Sequence, residues 1–256
     1  VIEGATYAAG TVGRFSSRGD VVRYGAEGRV AGLDLLRYGR VLEVAWLVDP
    51  RLDGRLNGTF AIEGRGDAIE NLTLAARGTL TDSTIFGGEL PSLDYDAAIV
   101  QRRLTFSANG RFRGFDGAVI SGYPRYAGLL NGTVNGRIEV ADLAQDLSVN
   151  FANGGVSFDG LASLEAATLG GLRIDRATFD GALAGQAGRI RSLEVAGPDL
   201  SATATGAFDL SPEGQSNITF EAASGDLARA GELLGLPLTG AASAKGTLTG
   251  NGTVLR

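Results

Sequence analysis

The sequence contains no cysteine and no histidine, and only one of its 256 residues is tryptophan. Without cysteine the chain can form no disulfide and offers no thiolate nucleophile. Without histidine it cannot form a Ser-His or Cys-His pair, and no imidazole is present to bind a metal or carry a proton near neutral pH. We therefore expect a protein that is not an enzyme and that uses no metal and no cofactor.

Basic residues are also few, since 23 Lys and Arg stand against 29 Asp and Glu, for a net charge of −6. An acidic chain has no general affinity for phosphate backbones, so we expect no nucleic-acid partner. No run of 18 consecutive apolar residues occurs, and no membrane-spanning helix is predicted. The sequence begins without methionine and ends inside a strand-like run, so we expect it to be a piece of a longer protein.

Glycine is abundant, with 40 residues, about twice its usual share. The stretch 104–114 alternates strictly between apolar and polar residues, which is typical of a strand with one dry face and one wet face. Its centre, a small or aliphatic residue two before a glycine and an apolar residue two after it, occurs seven times, where roughly one occurrence is expected by chance. The glycines of these centres are Gly28, Gly58, Gly78, Gly110, Gly132, Gly206 and Gly246. We interpret the centre as a repeated strand unit in which glycine allows a sharp bend.

Strands with short connections pair antiparallel by default, so the predicted fold class is mainly β with one long antiparallel sheet. We expect about sixteen to twenty strands and a sheet on the order of 80 to 95 Å long, which must curl, split or close. Residues 1–256 are predicted to form one elongated unit, with 1–144 and 145–256 as candidate modules.

Two short helices interrupt the strand pattern in this prediction. Asp34 precedes the first, which starts at Leu35, and Asp226 precedes the second, predicted over Leu227 to Leu234. By contrast, alternation over 147–151 predicts a strand that pairs with the strand beginning at Val156 through a tight turn at 153–155.

An aspartate pair and the single tryptophan are further candidates for a functional site. Asp94 and Asp96 share one strand face, and paired carboxylates can perform acid–base chemistry or hold Ca²⁺. Alternating charges on a wet face are usually solvated, so we favour a structural interpretation. Trp46 lies in an apolar run, and we interpret it as a core residue.

Three stretches make the sequence resemble the AsmA-like family, including TamB-type proteins, of Gram-negative envelopes. They are Gly32-Leu33-Asp34-Leu35-Leu36, the strand-like run 52–60, and the run from Pro237 to Gly250. The resemblance implies a taco-like β-groove in the periplasm, anchored to the inner membrane by a helix outside this sequence. It also implies that the protein carries phospholipids between membranes or supports outer-membrane assembly, with assembly proteins as further partners and membrane contact only through the anchor or the ends.

A continuous dry face must be covered by something, because exposed apolar area is unfavourable in water. Acyl chains of phospholipids are one candidate cover, and the side chains expected to line such a groove are Leu72, Leu74, Leu104, Phe106, Phe112, Val134, Ile138, Phe179, Phe208 and Phe220. Two halves of the sheet that fold onto each other would fill the interior instead. A third interpretation is a β-solenoid or adhesin-like surface module, which predicts regular coils and parallel stacking.

Overall fold

A computed structural model describes residues 5–18, 21–41, 48–145, 147–234 and 237–250. In this part of the chain fourteen strands form one open sheet, and every pairing between them is antiparallel. The predicted mainly β, antiparallel fold class is therefore confirmed. Trp46, which we interpreted as a core residue, lies outside the described residues.

Twelve of these described strands have nine to fourteen residues, longer than the usual five or six. The strands are β1 Thr6–Tyr7, β2 Val12–Arg18, β3 Val21–Asp34, β4 Arg55–Arg65, β5 Thr73–Ile85, β6 Gly88–Val100, β7 Arg103–Asp116, β8 Leu129–Val140, β9 Val156–Leu169, β10 Leu172–Ala184, β11 Ala187–Ala196, β12 Leu200–Asp209, β13 Ser216–Ser224 and β14 Ala242–Gly250. Because the strands are long, fewer are needed than the sixteen to twenty predicted. Twelve steps of about 4.8 Å across the sheet give a length of roughly 58 Å.

The sheet is a simple meander. From β3 onward each strand pairs with the next in sequence, while β1 and β2 lie one after the other along the free side of β3. Strands β8 and β9, which lie on either side of the boundary at 144 and 145 between the two candidate modules, pair directly with each other. A hairpin joins β6 to β7, where Gln101 and Arg102 have φ of 47° and 75°. Two successive positive φ angles are the geometry of a tight hairpin turn.

Three α-helices lie at one edge of the described sheet, where β3, β7 and β13 end. We call this the helix-bearing edge. The helices are α1 Leu35–Val41, α2 Gly117–Ser121 and α4 Leu227–Leu234, numbered in chain order with α3 Leu147–Ala152. Each begins after an aspartate whose carboxylate accepts a backbone N–H of the first turn: Asp34 from Arg37, Asp116 from Ala118, and Asp226 from Ala228. The predictions of α1 and α4 are confirmed.

Helix α2 was missed, although the sequence holds a signal for it. Gly114-Phe115-Asp116 repeats the pattern of Gly32-Leu33-Asp34, and in both cases the aspartate begins a helix. A glycine two residues before a capping aspartate therefore marks the end of a strand at this edge.

The strand predicted over 147–151 is wrong, because this segment forms α3 at the opposite edge. Asn150 is 3% exposed. Its side-chain amide donates to the carbonyl oxygen of Asp142 at 2.7 Å, and its Oδ1 accepts from the Asp142 N–H at 3.0 Å. Val149 and Phe151, which suggested the strand alternation, are exposed. A buried polar anchor, and not an apolar face, decides the conformation here.

Most of the buried apolar side chains of the described residues lie close to the helix-bearing edge. Among the described residues, the buried apolar side chains there include Leu90, Leu172, which is 1% exposed, and Ile174. Phe115 contacts Phe86 with ring centroids 5.9 Å apart. The hydrophobic core thus lies beside the helices, while most of the broad middle of the sheet has no second layer in the described chain.

Candidate functional site: an apolar face across the sheet

The strand register brings apolar residues from every part of the chain into continuous rows on one face, which we call the dry face. Directly paired residues in antiparallel strands point to the same side of a sheet. The rows therefore follow from the pairing and not from sequence proximity. Three such rows cross most or all of the sheet.

The first row crosses thirteen strands and consists of Tyr7, Val30, Gly58, Leu80, Leu93, Gly110, Val134, Ala162, Phe179, Leu193, Ala204, Phe220 and Gly246. The second consists of Gly28, Phe60, Gly78, Tyr95, Ala108, Gly136, Gly160, Gly181, Ile190, Gly206, Ile218 and Leu248. The third consists of Ala26, Ile62, Ala76, Ala97, Phe106, Ile138, Phe158, Leu183, Gly188 and Phe208. The polar groups in these rows are the hydroxyls of Tyr7 and Tyr95.

The residues predicted to line a groove fall within this pattern. Val134, Phe179 and Phe220 lie in the first row, and Phe106, Ile138 and Phe208 lie in the third. In a fourth row Leu74 pairs with Ile99, which pairs with Leu104. In a fifth row Phe112 on β7 pairs with Gly132 on β8. Leu72 directly precedes β5, two residues before Leu74. Nine of the ten thus share one face through strand pairing.

None of these ten side chains is buried. Nine are half-buried, and Ile138 is 41% exposed. This contrasts with Leu172 and Ile174 at the helix-bearing edge, which are buried by the neighbouring packing. The ten lining candidates therefore keep part of their surface exposed to solvent, unlike the side chains of a closed core.

Aromatic rings on the dry face lie across glycines. A Cβ built on Gly181 lies 2.5 Å from Cζ of Phe179, and one built on Gly188 lies 2.3 Å from Cζ of Phe208. Both distances are far below a van der Waals contact. The glycines thus leave room for the two rings, which lie close over the backbone of the sheet.

Other strand glycines are required by the backbone itself. Gly58 and Gly206 have φ of 149° and 144°, a region that other residues rarely adopt. A Cβ at Gly58 lies 2.0 Å from the carbonyl oxygen of Thr79, and one at Gly206 lies 2.2 Å from that of Asn217. These glycines mark distortions of the sheet at which the chain approaches its neighbour very closely.

The sheet has a corner at Asp82 in β5. Asp82 has φ of 46°, and the alternation of exposed and buried residues shifts by one position there, so that Ser83 is fully buried. Asn57 on β4 bridges this corner. Its Nδ2 donates to the carbonyl oxygen of Asp82 at 2.7 Å, and its Oδ1 accepts from the N–H of Gly32 on β3 at 2.8 Å. One side chain thus ties three strands together.

The same arrangement occurs a second time on β7, β8 and β9. Asn131 donates to the carbonyl oxygen of Ala166 at 3.0 Å and accepts from the N–H of Gly114 at 2.9 Å. Ala166 also has φ of 46°, and the residue after it, Ala167, is buried. Asn57 and Asn131 thus both lie within strands, in β4 and β8. Their role as bridges was missed, although the shared run Leu-Asn-Gly-Thr was visible in the sequence.

The opposite face is polar and held by cross-strand pairs. Arg191 on β11 donates from Nη2 to Asp159 on β9 at 2.8 Å and from Nε to Asp180 on β10 at 2.6 Å. Asp94, considered as part of a carboxylate pair, accepts from the hydroxyl of Thr79 at 2.6 Å and lies exposed on this face. Its contacts are those of a solvated strand residue.

A hollow of about 450 Å³ lies over β11 to β14, and its lining includes Thr203, Glu221 and Lys245. Lys245 and Glu221 form an exposed ion pair at 2.8 Å. None of the ten predicted lining residues borders this hollow.

The fold and the face define an open, groove-like antiparallel sheet with one apolar and one polar side. Within the described ranges, no helix has the length and hydropathy needed to cross a membrane. The chain matches no protein-family model, no curated protein and no solved structure.

Proposed function

We propose that this chain is a periplasmic segment of an AsmA-like protein whose dry face shields and conducts phospholipid acyl chains between the inner and outer membranes. The observation that carries the proposal is the set of three apolar rows, which cross up to thirteen strands and are interrupted by no charged side chain. A contiguous apolar face without a covering layer is the kind of surface that marks an interaction site.

The shape of the dry face suits a flexible hydrocarbon. The rings of Phe179 and Phe208 lie close over Gly181 and Gly188, so the floor combines ring faces with aliphatic side chains. Such a floor offers dispersion contacts along its whole length. A chain of methylene groups gains from each contact and can slide from strand to strand. Conduction of acyl chains along the sheet therefore requires no conformational change of the protein.

The first alternative is an adhesin-like surface module. Its solenoid form requires parallel stacking of regular coils, whereas the described strands pair antiparallel throughout. A self-filled core requires the lining residues to be buried, and none of the ten is. Support of outer-membrane assembly through a partner protein is a second candidate role of the same apolar face, and it takes its motivation from the family resemblance.

The test is lipid crosslinking with a matched control on each face. A photoreactive phenylalanine analogue is placed at Phe106 or Phe208 on the dry face, and at Ser107 or Thr203 on the polar face. We expect crosslinks to phospholipid from the first pair only, in cells and in purified protein. Equal crosslinking from both faces, or none from either, overturns acyl-chain shielding.

A second comparison uses two aliphatic residues of similar exposure on opposite faces. Ile138 on the dry face is 41% exposed, and Leu161, paired with Asn135 on the polar face, is 44% exposed. Ile138→Ser should lower the amount of phospholipid that co-purifies with the protein in native mass spectrometry. Leu161→Ser should leave it unchanged. Fractionation of cells then tests the proposed periplasmic location.

A further inference from the structure

The dry face carries tyrosine hydroxyls whose role the shielding of hydrocarbon does not explain. Tyr7 is paired with Tyr38 through their hydroxyl groups. Tyr24 and Tyr95 have no hydrogen-bond partner for their hydroxyls within the described chain. Tyr24 is next to the edge strand β2, whereas Tyr95 stands in the second row on β6, in the interior of the sheet.

Tyr95 is set among apolar neighbours. Its paired residues are Gly78 on one side and Ala108 on the other, and its hydroxyl oxygen lies 2.9 Å from the position that a Cβ on Gly78 would occupy. The side chain therefore lies along the floor toward β5. Burial raises the pKa of Tyr95 above its ordinary value, which keeps the hydroxyl protonated and able to donate.

An open dry face lets water satisfy this hydroxyl. No fully buried side-chain oxygen or nitrogen among the described residues lacks a partner, so the unpaired Tyr95 oxygen is reachable from outside. Acyl chains that cover the floor remove this water. A hydroxyl that loses water in apolar surroundings needs a new acceptor, because an unpaired one is costly.

We propose that the Tyr95 hydroxyl donates a hydrogen bond to the ester carbonyl of a phospholipid whose acyl chain lies on the dry face. The inference rests on the proposed function and specifies where on the dry face the ester group of the lipid binds. From β7 to β14 the first and second rows contain only apolar residues. Going from β14 toward β6 along these rows, the first hydroxyl group is that of Tyr95. The hydrocarbon then extends toward β14, and the polar end of the lipid lies near β6.

The experiment compares two phospholipids that differ only in the carbonyl. Purified protein is equilibrated with vesicles that contain equal amounts of dioleoyl phosphatidylcholine and its dialkyl-ether analogue, then re-isolated, and the bound lipids are counted by mass spectrometry. We expect the wild type to be enriched in the ester lipid by roughly threefold to tenfold, the factor that one hydrogen bond supplies. Tyr95→Phe, which keeps the ring over Gly78, should bring the ratio close to one.

Tyr126→Phe is the control, because it removes a hydroxyl from the loop that follows α2 and not from the dry face. It should keep the ester preference. A wild type that carries both lipids equally, or a Tyr95→Phe protein that keeps the preference, overturns this inference alone. A wild type that carries neither lipid overturns the proposed function, and this inference with it.

Discussion

The side chain of Asn57 donates a hydrogen bond to the backbone carbonyl oxygen of Asp82, 2.7 Å away, at the point where β5 enters a left-handed conformation. The same side chain accepts the N–H of Gly32 on the other neighbouring strand. Asn131 makes the equivalent pair of bonds to Ala166 and Gly114. Each asparagine thus holds a corner of the sheet that backbone pairing alone leaves incomplete.

Replacement of Asn57 by alanine should therefore destabilise the protein. The change leaves the half-buried N–H of Gly32 without its acceptor and the carbonyl oxygen of Asp82 without its donor, at a cost of about 1–3 kcal/mol. The measurement is the free energy of unfolding in urea. Asn135→Ala is the control, because Asn135 also precedes a glycine but is exposed and makes no side-chain hydrogen bond within the described residues. Equal losses from the two variants contradict the bridging role.

A methyl group at Gly206 should distort β12. Its φ of 144° is strained for alanine, and the added Cβ would lie 2.2 Å from the carbonyl oxygen of Asn217. We expect Gly206→Ala to lower the free energy of unfolding by roughly 1–3 kcal/mol. Gly13→Ala in β2 should change it by less than about 0.5 kcal/mol, since a Cβ there meets nothing within 4 Å. A Gly206→Ala protein as stable as the wild type shows that the strand relaxes at this point.

The ion pairs of Arg191 should make the stability of the fold depend on pH. The hydrogen bond from Arg191 is the main cause that lowers the pKa of Asp159. A carboxylate with a lower pKa in the folded state stabilises the fold above its unfolded pKa of about 3.9, and this contribution is lost as the pH falls through the folded value. Arg191→Gln should therefore melt at a lower temperature than the wild type at pH 7 but not at pH 2.

Two further comparisons test this assignment. Salt should narrow the difference at pH 7, because the three side chains are partly exposed and their attraction is screened. Arg189→Gln on the same strand should melt like the wild type at both pH values, since Arg189 forms no ion pair within the described residues. A gap between Arg191→Gln and wild type that stays constant from pH 7 to pH 2 rules out Asp159 as the titrating partner.

Local patterns in the sequence were enough to determine the fold class, the strand over 104–114 and the two helices that begin after Asp34 and Asp226. The alternation of period two over 104–114 and the aspartate caps depend only on neighbours in the chain, and both kept their predicted conformation in the folded sheet. The choice of lining residues followed the same alternation, which is why residues as distant as Phe106 and Phe208 share one row of the dry face.

Tertiary structure decided what local alternation cannot encode. The left-handed residues Asp82 and Ala166 shift the exposed and buried positions of their strands. Asn57 bonds to two residues that are each 25 positions away in sequence, and Asn131 bonds to residues 17 and 35 positions away. Helix α3 formed against its own apolar alternation because Asn150 found backbone partners. These outcomes depend on hydrogen bonds between distant segments, and only the register of the whole sheet brings those segments together.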